Sequence, residues 1–242
     1  MTQTPDAVSM ETKVVARPPF KDRLKHVAHD ALHPVVAMLA RAGVRPDMLT
    51  AVGCGLSIGA GLAFFEGGFR GGAALLVLAG VCDILDGELA RASGKVTTFG
   101  AFLDSTLDRA AEAFVLVGIT GFYLVNLLEL AHNPARVLEE LARGLEPRTW
   151  AVVALTGMLA LVGSFLVSYT RARAEGLGLE CKIGWFERPE RMVVLIIAGL
   201  FGVGPVMPGA LLILATLSFV TAGQRVMHVY RITRARETDA EH

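Results

Sequence analysis

The run Cys82-Asp83-Ile84-Leu85-Asp86-Gly87-Glu88-Leu89-Ala90-Arg91 places two aspartates three residues apart in apolar surroundings. The run Gly100-Ala101-Phe102-Leu103-Asp104-Ser105-Thr106-Leu107-Asp108 places two more four apart. Residues three and four apart share a helix face, so each pair presents its carboxylates together. The short polar connection from Arg91 to Thr98 turns the second helix back antiparallel, with its early part beside the late part of the first. An unpaired carboxylate among apolar groups is costly or protonates, and four together repel. A divalent cation removes both penalties. Hard carboxylate oxygens with no nearby Cys or paired His point to Mg²⁺ or Mn²⁺ rather than zinc, with Asp83, Asp86, Asp104 and Asp108 as ligands. The competing reading is a set of acids snorkelling at a membrane rim and salt-bridged to Arg91 and Arg109; the rarity of intramembrane acids outside functional sites favours the metal. Gly87, beside Asp86, and Gly100, one turn before Asp104, remove side chains where a ligand could approach the backbone, although small residues also serve helix packing.

The elements that carry these acids belong in a bilayer. Of 242 residues, 53% are apolar with tyrosine included and the 26 glycines left out, above the ~45–50% that soluble domains reach with glycine counted. Lys+Arg (23) balances Asp+Glu (23), which argues against a nucleic-acid binder dependent on a large positive charge. Six apolar, helix-like stretches, approximately 48–65, 70–90, 99–128, 150–170, 190–204 and 208–230, are read as transmembrane helices. A short surface helix is expected within 133–148. Before them, Phe20, Leu24, Val27, Leu32, Val35, Val36 and Leu39 recur at helical spacing among basic residues, the pattern of an amphipathic interfacial helix.

The expected fold is therefore all-α and integral to the membrane: a polar tail (1–17), an amphipathic interfacial helix and linker (18–46), a six-helix transmembrane catalytic domain (47–232) and a polar tail (233–242). No signal peptide is expected, because no apolar run follows a basic segment at the N-terminus. Assigning Lys and Arg to alternate sides gives nineteen against four, which places both termini and the acidic cluster on the cytoplasmic side of the inner membrane. Cys54, Cys82 and Cys181 are far apart and indicate neither a disulfide framework nor a thiolate zinc site.

The pattern Asp83-x2-Asp86-Gly87-x2-Ala90-Arg91-x8-Gly100-x3-Asp104-x3-Asp108 resembles the signature of the CDP-alcohol phosphotransferase family at every fixed position. The resemblance implies six-helix, usually homodimeric membrane enzymes of phospholipid biosynthesis, which move a phosphatidyl-type group from a CDP-linked donor to an alcohol and release CMP. By that resemblance Asp83, Asp86 and Asp104 hold one Mg²⁺, while Asp83, Asp104 and Asp108 hold a second. Asp108 is also the general base. Gly87, Arg91 and Thr97, joined by Asp47, Met48, Leu49 and Thr50, contact the CDP-lipid.

A second cluster bears on the acceptor. The phrases Ser168-Tyr169-x2-Ala172-Arg173-Ala174-Glu175 and Glu187-Arg188-Pro189-Glu190-Arg191 resemble the branch of phosphatidylinositol-phosphate synthases. That branch implies CDP-diacylglycerol as donor and an inositol phosphate as acceptor, its phosphate held by Arg171, Arg191 and Arg225. Arg171 stands where the branch usually has Lys, which keeps the charge and changes the hydrogen-bond geometry. The alternative acceptor is glycerol 3-phosphate. A divalent-cation transporter is the alternative of another class, disfavoured because the acids cluster at one end without an acidic path across.

Overall fold

A computed structural model of the chain describes residues 34–94, 97–142 and 147–240. All regular structure among these residues is helical. A segment α1 over 34–41 is followed by α2 (Pro46–Phe65), α3 (Phe69–Ala92), α4 (Thr98–His132), α5 (Pro134–Ala142), α6 (Pro147–Gly176), α7 (Arg188–Leu200) and α8 (Val206–Ala240). Each of the six apolar stretches becomes one helix, and α5 is the short helix expected within 133–148. Most of the proposed interfacial helix lies outside the described residues. At the other end, the polar tail expected from 233 continues α8 as helix to Ala240.

Four helices, α2, α4, α6 and α8, are long and apolar enough to cross a membrane. The chain is a multi-pass membrane protein. At 24 residues α3 is also long enough at about 1.5 Å per residue, but its second half carries Asp83, Asp86 and Glu88. α7 has 13 residues, or about 20 Å, short of a hydrocarbon core of about 30 Å. Around an apolar core, many large apolar side chains also face outward. Leu155, Leu159, Val162 and Leu166 form an exposed apolar stripe on α6, while Arg191 and Arg225 are the largest fully buried side chains. Lipid accepts the first, and only internal partners make the second tolerable.

The helices pack in the pairs α2–α3, α2–α4, α4–α6, α6–α8, α3–α7 and α7–α8. The antiparallel partner of α3 is therefore α2, which also packs on α4; the Arg91–Thr98 connection does not make α3 and α4 close neighbours along their length. Contact between α2 and α4 depends on glycine, since a Cβ at Gly118 would stand 2.0 Å from the Gly61 carbonyl oxygen. Helices are locally terminated as their sequences require. Pro46 opens α2 where its missing N–H costs nothing, and the Thr97 hydroxyl caps α4 by accepting from the Gly100 N–H at 2.9 Å. At the start of α7 the Glu187 N–H donates to the Glu190 carboxylate at 3.1 Å, and Pro189 sits in the first turn.

Candidate active site

The acids converge on one place, though not all four of them equally. Oxygens of Asp83 from α3 and of Asp104 and Asp108 from α4 all lie within 4.8 Å of one another. Asp86 stands outside that group. It is buried, and its Oδ2 accepts a hydrogen bond from the Thr50 hydroxyl at 2.7 Å. The difference follows from the packing: α2 lies against α3, so the neighbouring face of α3 meets Thr50 before it can reach α4.

Arg188, at the first position of α7, reaches into the cluster. Its Nη1 lies 3.2 Å from Asp83 Oδ1 and 2.8 Å from Asp108 Oδ1, and its Nε is buried without a hydrogen-bond partner. One turn further along α7, Arg191 makes a second bridge to α4. Its Nε and Nη2 donate to the two carboxylate oxygens of Glu112 at 2.5 and 2.8 Å, and its Nη1 donates to the Phe186 carbonyl at 3.3 Å. Asp104, Asp108 and Glu112 follow one another at four-residue spacing, so a single acidic stripe of α4 faces the two arginines. Glu112 and Arg188 were not assigned from sequence. The continuing four-residue spacing was the available signal for Glu112, and the motif around Arg191 already contained Arg188.

The cluster closes one end of a cavity of about 410 Å³ between α2, α3, α4 and α7. Thr50, Asp83, Asp86, Asp108 and Arg188 form its polar end, whereas Leu76, Val77, Met192, Val193 and Ile196 line the remainder. A strongly charged end joined to apolar walls suits an amphiphile.

Of the residues assigned to the CDP-lipid, Thr50 lines this cavity. An added Cβ at Gly100 would stand 3.0 Å from Thr97 Oγ1 and 3.4 Å from Asp47 Oδ1, so Asp47, Thr97 and Gly100 are neighbours. An added Cβ at Gly87 would stand 3.3 Å from Arg91 Nη2. Arg91 is exposed and paired with Glu88 at 2.9 Å. Met48 is exposed, while Leu49 packs beside Leu85 and Leu89.

The three arginines assigned to the acceptor are each paired with a glutamate. Arg171 is partly exposed and pairs with Glu175 at 2.9 Å and Glu187 at 3.5 Å. Arg225, almost fully buried, donates to the same Glu187 Oε1 at 2.8 Å and to the carbonyls of Ile183 and Val167. Gly184, with φ of +117°, lets this segment lie against α8, since a Cβ there would stand 2.6 Å from Thr221 Cγ2. Arg191 is paired with Glu112 instead.

The donor set fits a hard divalent cation, because three carboxylates meet where a guanidinium bridges two of them and positive charge is evidently demanded. Comparison with known proteins agrees. The chain is 35% identical to archaetidylinositol phosphate synthase of Methanothermobacter thermautotrophicus over 79% of its own length and 86% of the relative's. It is 36% identical to phosphatidylinositol phosphate synthase of Mycobacteroides abscessus, covering 82% and 83%. Among solved structures, the Mycobacterium tuberculosis phosphatidylinositol phosphate synthase superposes with a TM-score of 0.66 in complex with manganese and citrate, at 29% identity over 81% of this chain and 88% of that one. The same enzyme with CDP-DAG bound gives 0.65, at 29% identity over 81% and 92%. The sequence profile of CDP-alcohol phosphatidyltransferases matches residues 44–222, a span that includes the acidic cluster and both bridging arginines; the chain belongs to that family of transferases.

Proposed function

We propose that this enzyme transfers the phosphatidyl group of CDP-diacylglycerol to a hydroxyl of an inositol phosphate, forming phosphatidylinositol phosphate and releasing CMP. The observation that carries the reading is the meeting of Asp83, Asp104 and Asp108 at the charged end of an apolar-walled cavity. Relatives named as synthases of inositol-phosphate lipids support the choice of acceptor.

Asp83, Asp104 and Asp108 would hold Mg²⁺ or Mn²⁺, and Asp86, oriented by Thr50, would complete the set for two ions. Bound there, the ions supply charge neutralisation of the donor diphosphate and of the leaving CMP. Asp108 takes the proton of the attacking hydroxyl as general base. Asp47, Met48, Leu49, Thr50, Gly87, Arg91 and Thr97 seat the CDP-lipid, while the apolar walls exclude water from its acyl portion. Arg171, the accessible member of its set, binds the acceptor phosphate together with Arg191 and Arg225. The substitution of Arg for the usual Lys at 171 keeps glycerol 3-phosphate as a second acceptor to examine.

In this reading α3 and α7 join the four long helices as six spans behind the interfacial helix. The lysine and arginine asymmetry supports a cytoplasmic active site and cytoplasmic termini in the inner membrane, and the family resemblance supports a homodimer. The test offers purified protein CDP-diacylglycerol with inositol 1-phosphate, glycerol 3-phosphate, free inositol or serine and reads CMP release. Release with inositol phosphate above the other acceptors is expected. Release with glycerol 3-phosphate alone overturns the acceptor, and no CMP with any of them overturns the reaction.

A further inference from the structure

The position of Arg188 has a consequence for how the acidic cluster is filled. Its single Nη1 lies within ion-pair distance of both Asp83 Oδ1 and Asp108 Oδ1, and these carboxylates belong to the group whose oxygens lie within 4.8 Å of one another. The guanidinium therefore uses carboxylate groups that a cation would need. Its side chain is 25% exposed and that of Asp108 20%, so water screens the pair only in part. The arginine is delivered from a rigid base: Pro189 and the Glu187–Glu190 hydrogen bond set the start of α7, and the Arg191–Glu112 bridge ties the next turn to α4.

Two positive groups cannot share these carboxylates without strong repulsion in a site of lowered dielectric. We infer that Arg188 is a built-in counter-cation, which neutralises Asp83 and Asp108 and competes with a divalent cation for them. The intrinsic affinity of the carboxylates for metal is thereby reduced by the work of displacing the guanidinium. The displaced group, with its Nε already lacking a partner, is then available to a phosphate oxygen in the same cavity. Arg188 is in this sense a positioning residue that couples metal entry to exposure of an anion-binding group. The inference rests on the metal-centre reading above.

The experiment measures Mn²⁺ binding to the purified full-length protein in lipid nanodiscs without substrate, by the electron paramagnetic resonance signal of free Mn²⁺. Arg188→Gln removes the competing charge, and its Mn²⁺ affinity should rise roughly tenfold or more, equivalent to about 1.4 kcal/mol. Its melting temperature in EDTA should fall below that of the parent protein, with the gap closing at saturating Mn²⁺. Arg188→Lys retains one charge that reaches both carboxylates less well, and its affinity should lie between the two; this variant serves where Arg188→Gln fails to fold. Unchanged or weaker Mn²⁺ binding in a folded Arg188 variant overturns the inference. Asp83→Asn separates this from failure of the metal centre: equal Mn²⁺ binding by the parent and Asp83→Asn overturns the centre itself, whereas loss of binding in Asp83→Asn with no gain in the Arg188 variants overturns only the role of Arg188.

Discussion

Arg191 is assigned two tasks that a stability measurement can separate: it neutralises Glu112 inside the protein, and it is proposed to bind the acceptor phosphate. The pair is bidentate, with contacts of 2.5 and 2.8 Å, and its side chains are 1% and 4% exposed, so solvent screening is negligible. Removing one partner of such a pair leaves a buried charge and costs about 3–5 kcal/mol. Arg191→Met and Glu112→Leu should each lower the free energy of unfolding in mixed micelles by that amount, followed by circular dichroism against denaturant. The double variant leaves no charge and replaces the pair with apolar groups, so it should return to within about 1 kcal/mol of the parent protein. Acceptor kinetics in that stable double variant then isolate the second task. Loss of one charge-assisted phosphate contact should lower kcat/KM for inositol phosphate roughly ten- to a hundredfold, with CDP-diacylglycerol affinity nearly unchanged. Single variants that each cost under about 1 kcal/mol and add in the double would refute the buried-pair reasoning. A double variant with unaltered acceptor kcat/KM would remove Arg191 from the acceptor site.

Three further outcomes follow from the same structure. EDTA should abolish CMP release and Mg²⁺ or Mn²⁺ should restore it, with Ca²⁺ doing so poorly because it takes longer bonds and a looser shell; activity that survives thorough chelation contradicts the metal centre. Asp108→Asn should slow turnover by at least about a hundredfold, the usual scale of general acid–base catalysis, with a smaller loss of CDP-lipid binding, and near-normal turnover removes Asp108 as the base. Gly118→Ala should destabilise the protein by at least about 1–3 kcal/mol through overpacking, since the new methyl would meet the Gly61 carbonyl at 2.0 Å. Gly55→Ala, where nothing lies within 4 Å of the added carbon, is its control and should be neutral or mildly stabilising; equal effects at the two sites would show that the α2–α4 contact is looser than described.

What the sequence determined by itself was local. Six apolar runs became six helices because a helix satisfies its own backbone in an apolar medium, and that requirement is written in composition and length. The three- and four-residue spacing of Asp83/Asp86 and Asp104/Asp108 placed each pair on one helical side, and the family signature followed from the same residues. Which groups meet across helices was decided only by tertiary packing. Because α2 packs on both α3 and α4, Thr50 holds Asp86 and leaves Asp83 to join Asp104 and Asp108. Spacing within α3 carries no information about that division. The same holds for Arg188 and Arg191, whose one-turn separation on α7 was visible while their partners on α4 were not: an arginine at a cytoplasmic helix end reads equally as part of the positive-inside belt or as a ligand. Only the fold brings the acidic stripe of α4 opposite them, and a buried guanidinium must take the carboxylate that the fold supplies because no water is there to take its place.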